Sequence, residues 1–137
     1  YTNTVLKQSS PLFRGFDDVF YAPHSREVGI LKEDVDKVPE LELIADSEKG
    51  GPTILKTTDS KNFFVLCHLE YDANTLELEY QRDMKKGLNP HIPCNYYPDD
   101  DPTKKPIVTW RSAGQLLFSN WLNYYVYQTT PYDIGNK

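Results

Sequence analysis

An α/β fold is predicted for this chain of 137 residues, and three observations predict it. Short apolar runs at 41–45, 54–57 and 62–67 are separated by turn residues and read as consecutive strands of one sheet. Directly after them, Leu76, Tyr80 and Met84 recur at helical spacing. A long aromatic segment at 112–130 then carries apolar residues on a wide helical face.

Taken in order, residues 9–26 mix turn formers (Pro11, Gly15, Asp17, Asp18) with Phe13, Phe16, Phe20 and Tyr21, which suggests a strand or two feeding a loop. Residues 48–52 form a Gly-Gly-Pro turn between the first two strand runs. The third run, Phe63-Phe64-Val65-Leu66-Cys67, is the most apolar, as expected of a strand covered on both faces. Asp72 as N-cap and Gly87 as C-cap bracket a helix over about 73–86. Between 89 and 106, Pro90, Pro93, Pro98, Pro102 and Pro106 together with Asp99-Asp100-Asp101 exclude helix and central strand, leaving a long loop, ordered or flexible. In the last segment Leu116, Leu117, Trp121, Tyr124 and Gln128 share one side with Phe118, Leu122 and Tyr125 beside it. This face would be buried against the sheet or another subunit.

Composition bounds the function. The chain is long enough for one domain with a core, and 39% apolar with 26% charged residues is ordinary for a soluble globular protein. A net charge of -5 with scattered Lys and Arg offers no basic face for nucleic acid. No apolar run reaches the roughly 20 residues of a membrane span, and no signal peptide is visible at Tyr1. Cys67 and Cys94 lie far apart without metal-ligand spacing, which fits a reducing, cytoplasmic setting rather than a disulfide framework or zinc site.

The sharpest chemical feature is His68-Leu69-Glu70 at the end of the third strand run. A histidine there can accept a proton from a nucleophile when a carboxylate holds its tautomer, and Glu70 is the candidate carboxylate. Spacing alone favours the plainer arrangement, a strand-end hydrogen bond with Glu70 solvated. Arg82 could clamp a substrate carboxylate, although Asp83, Lys85 and Lys86 around it read as a solvated helix face. His24-Ser25-Arg26, at a change from strand to loop, is a weak signal by itself.

Together these residues carry a resemblance. The blocks Gly15-Phe16-Asp17-Asp18-Val19-Phe20-Tyr21-Ala22-Pro23-His24-Ser25-Arg26, His68-Leu69-Glu70-Tyr71-Asp72, Asn95-Tyr96-Tyr97-Pro98, Asp101-Pro102-Thr103 and Thr109-Trp110-Arg111-Ser112 resemble the homoserine O-succinyltransferase family in that family's order. So do residues 117–127 and Thr130-Pro131-Tyr132-Asp133.

The resemblance implies a class I glutamine amidotransferase-like (flavodoxin-like) sheet, present as its C-terminal portion, with residues 1–137 forming the C-terminal part of a single catalytic domain. It implies transfer of an acyl group from succinyl-CoA or acetyl-CoA to the hydroxyl of L-homoserine in methionine biosynthesis, through a Cys-His-Glu triad. His68 would be the general base, Glu70 its orienting carboxylate, and Ser25 and Arg82 substrate contacts. The Cys would lie outside this chain, in the family's N-terminal half. No metal or bound cofactor is implied; acyl-CoA is a cosubstrate, and a half-sheet with an open edge suggests association with that missing half and a homo-oligomer. The chain departs from the family pattern at Cys67 (usually Gly, so that the backbone there would be crowded), Leu69 (often Pro) and Ala113 (commonly His). A glutamine-hydrolysing relative and a non-catalytic binding module are the alternative readings.

Overall fold

The computed structural model describes residues 1–130 and 135; the block Pro131-Tyr132-Asp133 lies outside the described residues. The strands are β1 (Thr2–Val5), β2 (Val19–Tyr21), β3 (Leu41–Ser47), β4 (Gly51–Thr57) and β5 (Phe63–Val65). They form one five-stranded sheet in the order β2-β1-β3-β4-β5, and every neighbouring pair is antiparallel. The helices are a single turn, α1 (Lys32–Val35), then α2 (Thr75–Lys85) and α3 (Arg111–Trp121). The last continues through a π-helical stretch, Leu122–Val126, into one more turn, α4 (Tyr127–Thr129). The mixed α/β class agrees with the sequence, and three of the five strands are the three apolar runs.

The hairpin between β3 and β4 turns where expected, with Gly51 at φ 70°, a conformation that glycine adopts without a Cβ clash. The β3–β4 ladder shifts register between Leu43 and Ala45 and again between Ala45 and Asp46, and these bulges curl the sheet. Its concave side holds the core: Leu12, Phe13, Ile44, Ile54, Cys67, Leu69, Trp110 and Leu117 belong to one buried cluster.

Asn3, completely buried in β1, ties this cluster to its neighbours. Its amide donates to the carbonyls of Tyr1 (3.0 Å) and Phe20 (3.4 Å), while its Oδ1 accepts from the Thr53 hydroxyl at 2.9 Å and lies 2.9 Å from His24 Nε2. Such a fully bonded amide can be buried at little net cost; an unpaired one cannot.

Two expectations are corrected. The third run is not covered on both faces: β5 pairs with β4 alone among the described strands, and Phe64 and Val65 are 43% and 39% exposed. Helix α2 forms over the expected span but lies at the surface, with no fully buried residue and with Met84 49% exposed. Helix α2 ends as expected: Gly87 N–H bonds Met84 O and Leu88 N–H bonds Asp83 O, the paired bonds of a Schellman cap. Its N-cap is Asn74 rather than Asp72.

The proline-rich loop is ordered by its own aromatics. Tyr96 and Tyr97 are buried against each other at 4.8 Å, and the Tyr96 hydroxyl donates to Ala73 O at the entrance to α2. Helix α3 buries Ala113, Gly114, Leu117 and Asn120, a narrower face than its aromatic content suggests. Phe118 and Trp121 stay exposed and, with Phe63, Phe64 and Val65, wall an apolar groove of about 370 Å³ along the edge strand.

Gly114 sets how closely α3 approaches the loop after β5. A Cβ there would stand 2.7 Å from the Leu69 carbonyl oxygen, a backbone atom that cannot rotate aside. Gly114→Ala should therefore lower the unfolding free energy by about 1–3 kcal/mol in urea titrations. Gly29→Ala, with open space around it, should leave the midpoint near the wild-type value.

Candidate active site

The segment leaving β5 is carried by two backbone bonds. Leu66 N–H still donates to Thr53 O of β4 at 2.8 Å, and two residues on His68 N–H donates to Pro23 O at 2.9 Å. The chain then bends at Cys67 and turns at 69–70, with Tyr71 N–H donating to His68 O at 3.3 Å, so that Cys67 and Leu69 are buried in the core while His68 and Glu70 face out.

His68 Nδ1 and Glu70 Oε1 are 2.8 Å apart, so the carboxylate accepts the Nδ1–H and fixes the tautomer with Nε2 as the basic nitrogen. Nε2 lies 3.3 Å from the Ser25 carbonyl oxygen. Both ring nitrogens thus lie near oxygen atoms, Nδ1 by the Glu70 carboxylate and Nε2 by the Ser25 carbonyl. The ring stacks on Tyr71, with centroids 4.3 Å apart and planes inclined by 19°. Tyr71 is fixed in turn: its hydroxyl donates to Glu79 Oε1 at 2.8 Å, and its backbone carbonyl accepts from Trp110 Nε1 at 2.9 Å. Burial first, then the adjacent Glu79, push the Tyr71 hydroxyl up to about 12, so it remains a neutral donor.

The structure brings His68, Glu70 and Ser25 together; Arg82 stands apart from them. Ser25 Oγ donates to Glu79 Oε2 at 2.8 Å, which aims it into a cleft of about 360 Å³ shared with His24, Glu79, Tyr80 and the 90–94 segment. Arg82 is exposed, one helical turn beyond Glu79, and uses Nε to bond Asp83 at 2.8 Å. That bond, then the charge of Asp83 and more weakly that of Glu79, raise its pKa. Arg26 is a structural clamp: its guanidinium donates to the carbonyls of Leu66 at 3.1 Å and of Gly50, binding the Ser25 loop to the sheet.

Two residues of this constellation escaped sequence reasoning. Tyr71 sits inside a recognised block but offers no chemistry of its own. Glu79 reads as one more acid on a charged helix; the only signal was its place three and four residues before Arg82 and Asp83.

Cys67 is 2% exposed, its side chain packs in the core, and burial pushes its thiol up to about 12. Cys94 is exposed. Among the described residues no cluster of His, Cys, Asp and Glu could hold a metal ion, and no helix is long and apolar enough to cross a membrane.

The model of the family described as homoserine O-succinyltransferase matches residues 1–132. The chain belongs to the homoserine O-succinyltransferase family. Among its relatives, the homoserine O-acetyltransferase of Brevibacillus brevis is 54% identical over 136 residues, covering 99% of this chain and 44% of that protein. Those of Agathobacter rectalis and a Geobacillus species are 55% and 57% identical, covering 100% and 97% of this chain and 44% of each relative. The chain thus spans less than half the length of these relatives.

Two measurements follow. With a thiol-reactive dye at pH 8, Cys94 should react within seconds and Cys67 only on unfolding; equal rates would contradict the buried thiol. His24 is the second case. Burial, then neighbouring positive charge, lowers its pKa from 6.5 to about 4, and its buried Nδ1 has no partner among the described residues. A base whose folded pKa is depressed contributes stability that is fully present above its unfolded pKa. Stability should fall as pH drops from 6.5 to about 4, and His24→Asn should flatten that slope in pH-dependent urea melts.

Proposed function

We propose that this chain supplies the acid–base and acceptor-binding part of a homoserine O-acyltransferase. The observation that carries the proposal is the half-exposed His68–Glu70 pair, 2.8 Å apart, with its basic nitrogen turned toward the Ser25 loop. In this reading a cysteine from the remainder of the family's catalytic domain attacks acyl-CoA, forms a thioester and releases CoA. His68 then removes the proton of the homoserine hydroxyl as its oxygen attacks the thioester carbonyl. The thiolate leaves, and the imidazolium is held by Glu70. Metal and organic cofactors have no part in these steps.

Ser25 is read as a contact to homoserine from inside the cleft. Arg82 is read as the receptor for the homoserine carboxylate, since its bond to Asp83 occupies Nε and leaves the two terminal nitrogens for a second, bidentate partner. The names of the relatives favour acetyl as the acyl group. The amidotransferase-like sheet also belongs to this reading: the open edge at β5 and the groove beside Phe118 and Trp121 would receive the remaining part of the family's domain. Methionine biosynthesis in the cytoplasm is the setting these assignments suit.

The test is a chimera in which this chain replaces the matching segment of the Brevibacillus brevis enzyme. It should transfer acetyl from acetyl-CoA to homoserine, and His68→Asn or Glu70→Gln should lower kcat by about 10²- to 10⁴-fold without unfolding the protein. The chain incubated alone with acetyl-CoA should show no stoichiometric acyl adduct on Cys67 or Cys94 by intact-mass spectrometry. A His68→Asn chimera with undiminished turnover would sink the proposal.

A further inference from the structure

We propose that Tyr71 is a positioning residue for the base: its ring sets the plane of the His68 imidazole, and with it the direction in which the Nε2 lone pair points. The inference rests on the reading of His68 as the general base and adds what holds that base in place. The lone pair of a basic imidazole nitrogen lies in the plane of the ring, so the base is aimed only when that plane is fixed.

Glu70 cannot fix it alone. Its single bond to Nδ1, 2.8 Å long, holds one corner of the ring and leaves rotation about the bond free. The two side chains are 32% and 55% exposed, and a solvated pair of this kind is a weak restraint. The contact on the other side does not help. While Nε2 is the basic nitrogen, it has no hydrogen to donate to the Ser25 carbonyl 3.3 Å away. Tyr71 supplies the missing restraint, because its ring lies face to face with the imidazole at 4.3 Å, the planes inclined by 19°. A face contact resists the tilt that one hydrogen bond permits.

A restraint works only when it is itself held. Tyr71 is tied through its N–H to His68 O at 3.3 Å, through its carbonyl to Trp110 Nε1 at 2.9 Å and through its hydroxyl to Glu79 Oε1 at 2.8 Å. Its side chain packs against the core cluster, of which Trp110, 4% exposed, is a member. The work is thus divided: Glu70 sets the tautomer of His68 from the solvent side, and Tyr71 sets its plane from the core side. A misplacement of about 1 Å between reacting groups costs on the order of 100-fold in rate, so the plane bears directly on turnover.

Tyr71→Phe and Tyr71→Leu both lose the hydroxyl bond to Glu79, and only the second loses the ring, so the difference between them reads the stack. In the chimera described above, kcat for acetyl transfer to homoserine should be about 10- to 100-fold lower for Tyr71→Leu than for Tyr71→Phe, with the KM for homoserine alike in the two. In NMR spectra of the labelled chain, the His68 ring protons should lie upfield of their free-imidazole positions in the wild type and in Tyr71→Phe, and return toward them in Tyr71→Leu.

Equal kcat values for Tyr71→Phe and Tyr71→Leu, in a chimera that His68→Asn inactivates, overturn this proposal alone. Where Tyr71→Leu does not fold, Tyr71→Met, an unbranched side chain without a ring, takes its place in the same comparison. His68 ring protons at free-imidazole positions in the wild-type chain also overturn the proposal, whatever the kinetics. A His68→Asn chimera with undiminished turnover removes the base itself, and the proposal then falls together with the reading it rests on.

Discussion

His68 and Glu70 stand on one side of the chain because Cys67 and Leu69 are locked on the other. Leu69 is pinned from two directions, by its side chain in the core and by its carbonyl against Gly114, while His68 N–H is bonded to Pro23 O. The bonds of Leu66 N–H to Thr53 O and of His68 N–H to Pro23 O fix the chain on either side of Cys67. The burial of Cys67 and Leu69 thus selects the arrangement in which the His-Glu pair can form, and the pair itself, half exposed, contributes little to holding the segment in place.

The remaining parts of the site are positioned from the same core by successive contacts. Trp110, buried at the start of α3, donates to the Tyr71 carbonyl; Tyr71 stacks on His68 and bonds Glu79; Glu79 bonds Ser25; and Arg26, next to Ser25, is tied back to the sheet at Leu66. The path closes on itself within one loop of contacts around His68. A departure from the family pattern such as Cys67 is tolerated because its side chain enters the core and leaves that path untouched.

Much of this was legible in the sequence, and the misses have identifiable causes. The three apolar runs became β3, β4 and β5, because alternation and turn residues are local signals. β1 was missed: in Thr2-Asn3-Thr4-Val5 only Val5 is apolar, and Asn3 is buried because its side chain finds partners in Tyr1, Phe20, Thr53 and His24, an arrangement that no local window displays. His68 and Glu70 were visible as candidates and needed the resemblance to rise above a strand-end hydrogen bond. Glu79 was invisible because its partners are the hydroxyls of Tyr71, at the other side of the turn into α2, and of Ser25, 54 residues away and adjacent only in space.

The apolarity of Phe63-Phe64-Val65 led to the wrong expectation of a strand covered on both faces, yet the composition itself remains informative. An edge strand in contact with water is ordinarily blunted by charge, proline or a bulge. Here it carries Phe64 and Val65 exposed beside Phe118 and Trp121. The nearest polar residues, Lys61 and Asn62, lie at the end of the groove and do not interrupt it. A contiguous exposed apolar patch of this kind marks an interaction surface. The same surface that makes β5 anomalous as an edge makes it suited to association, with His68 three residues beyond its end.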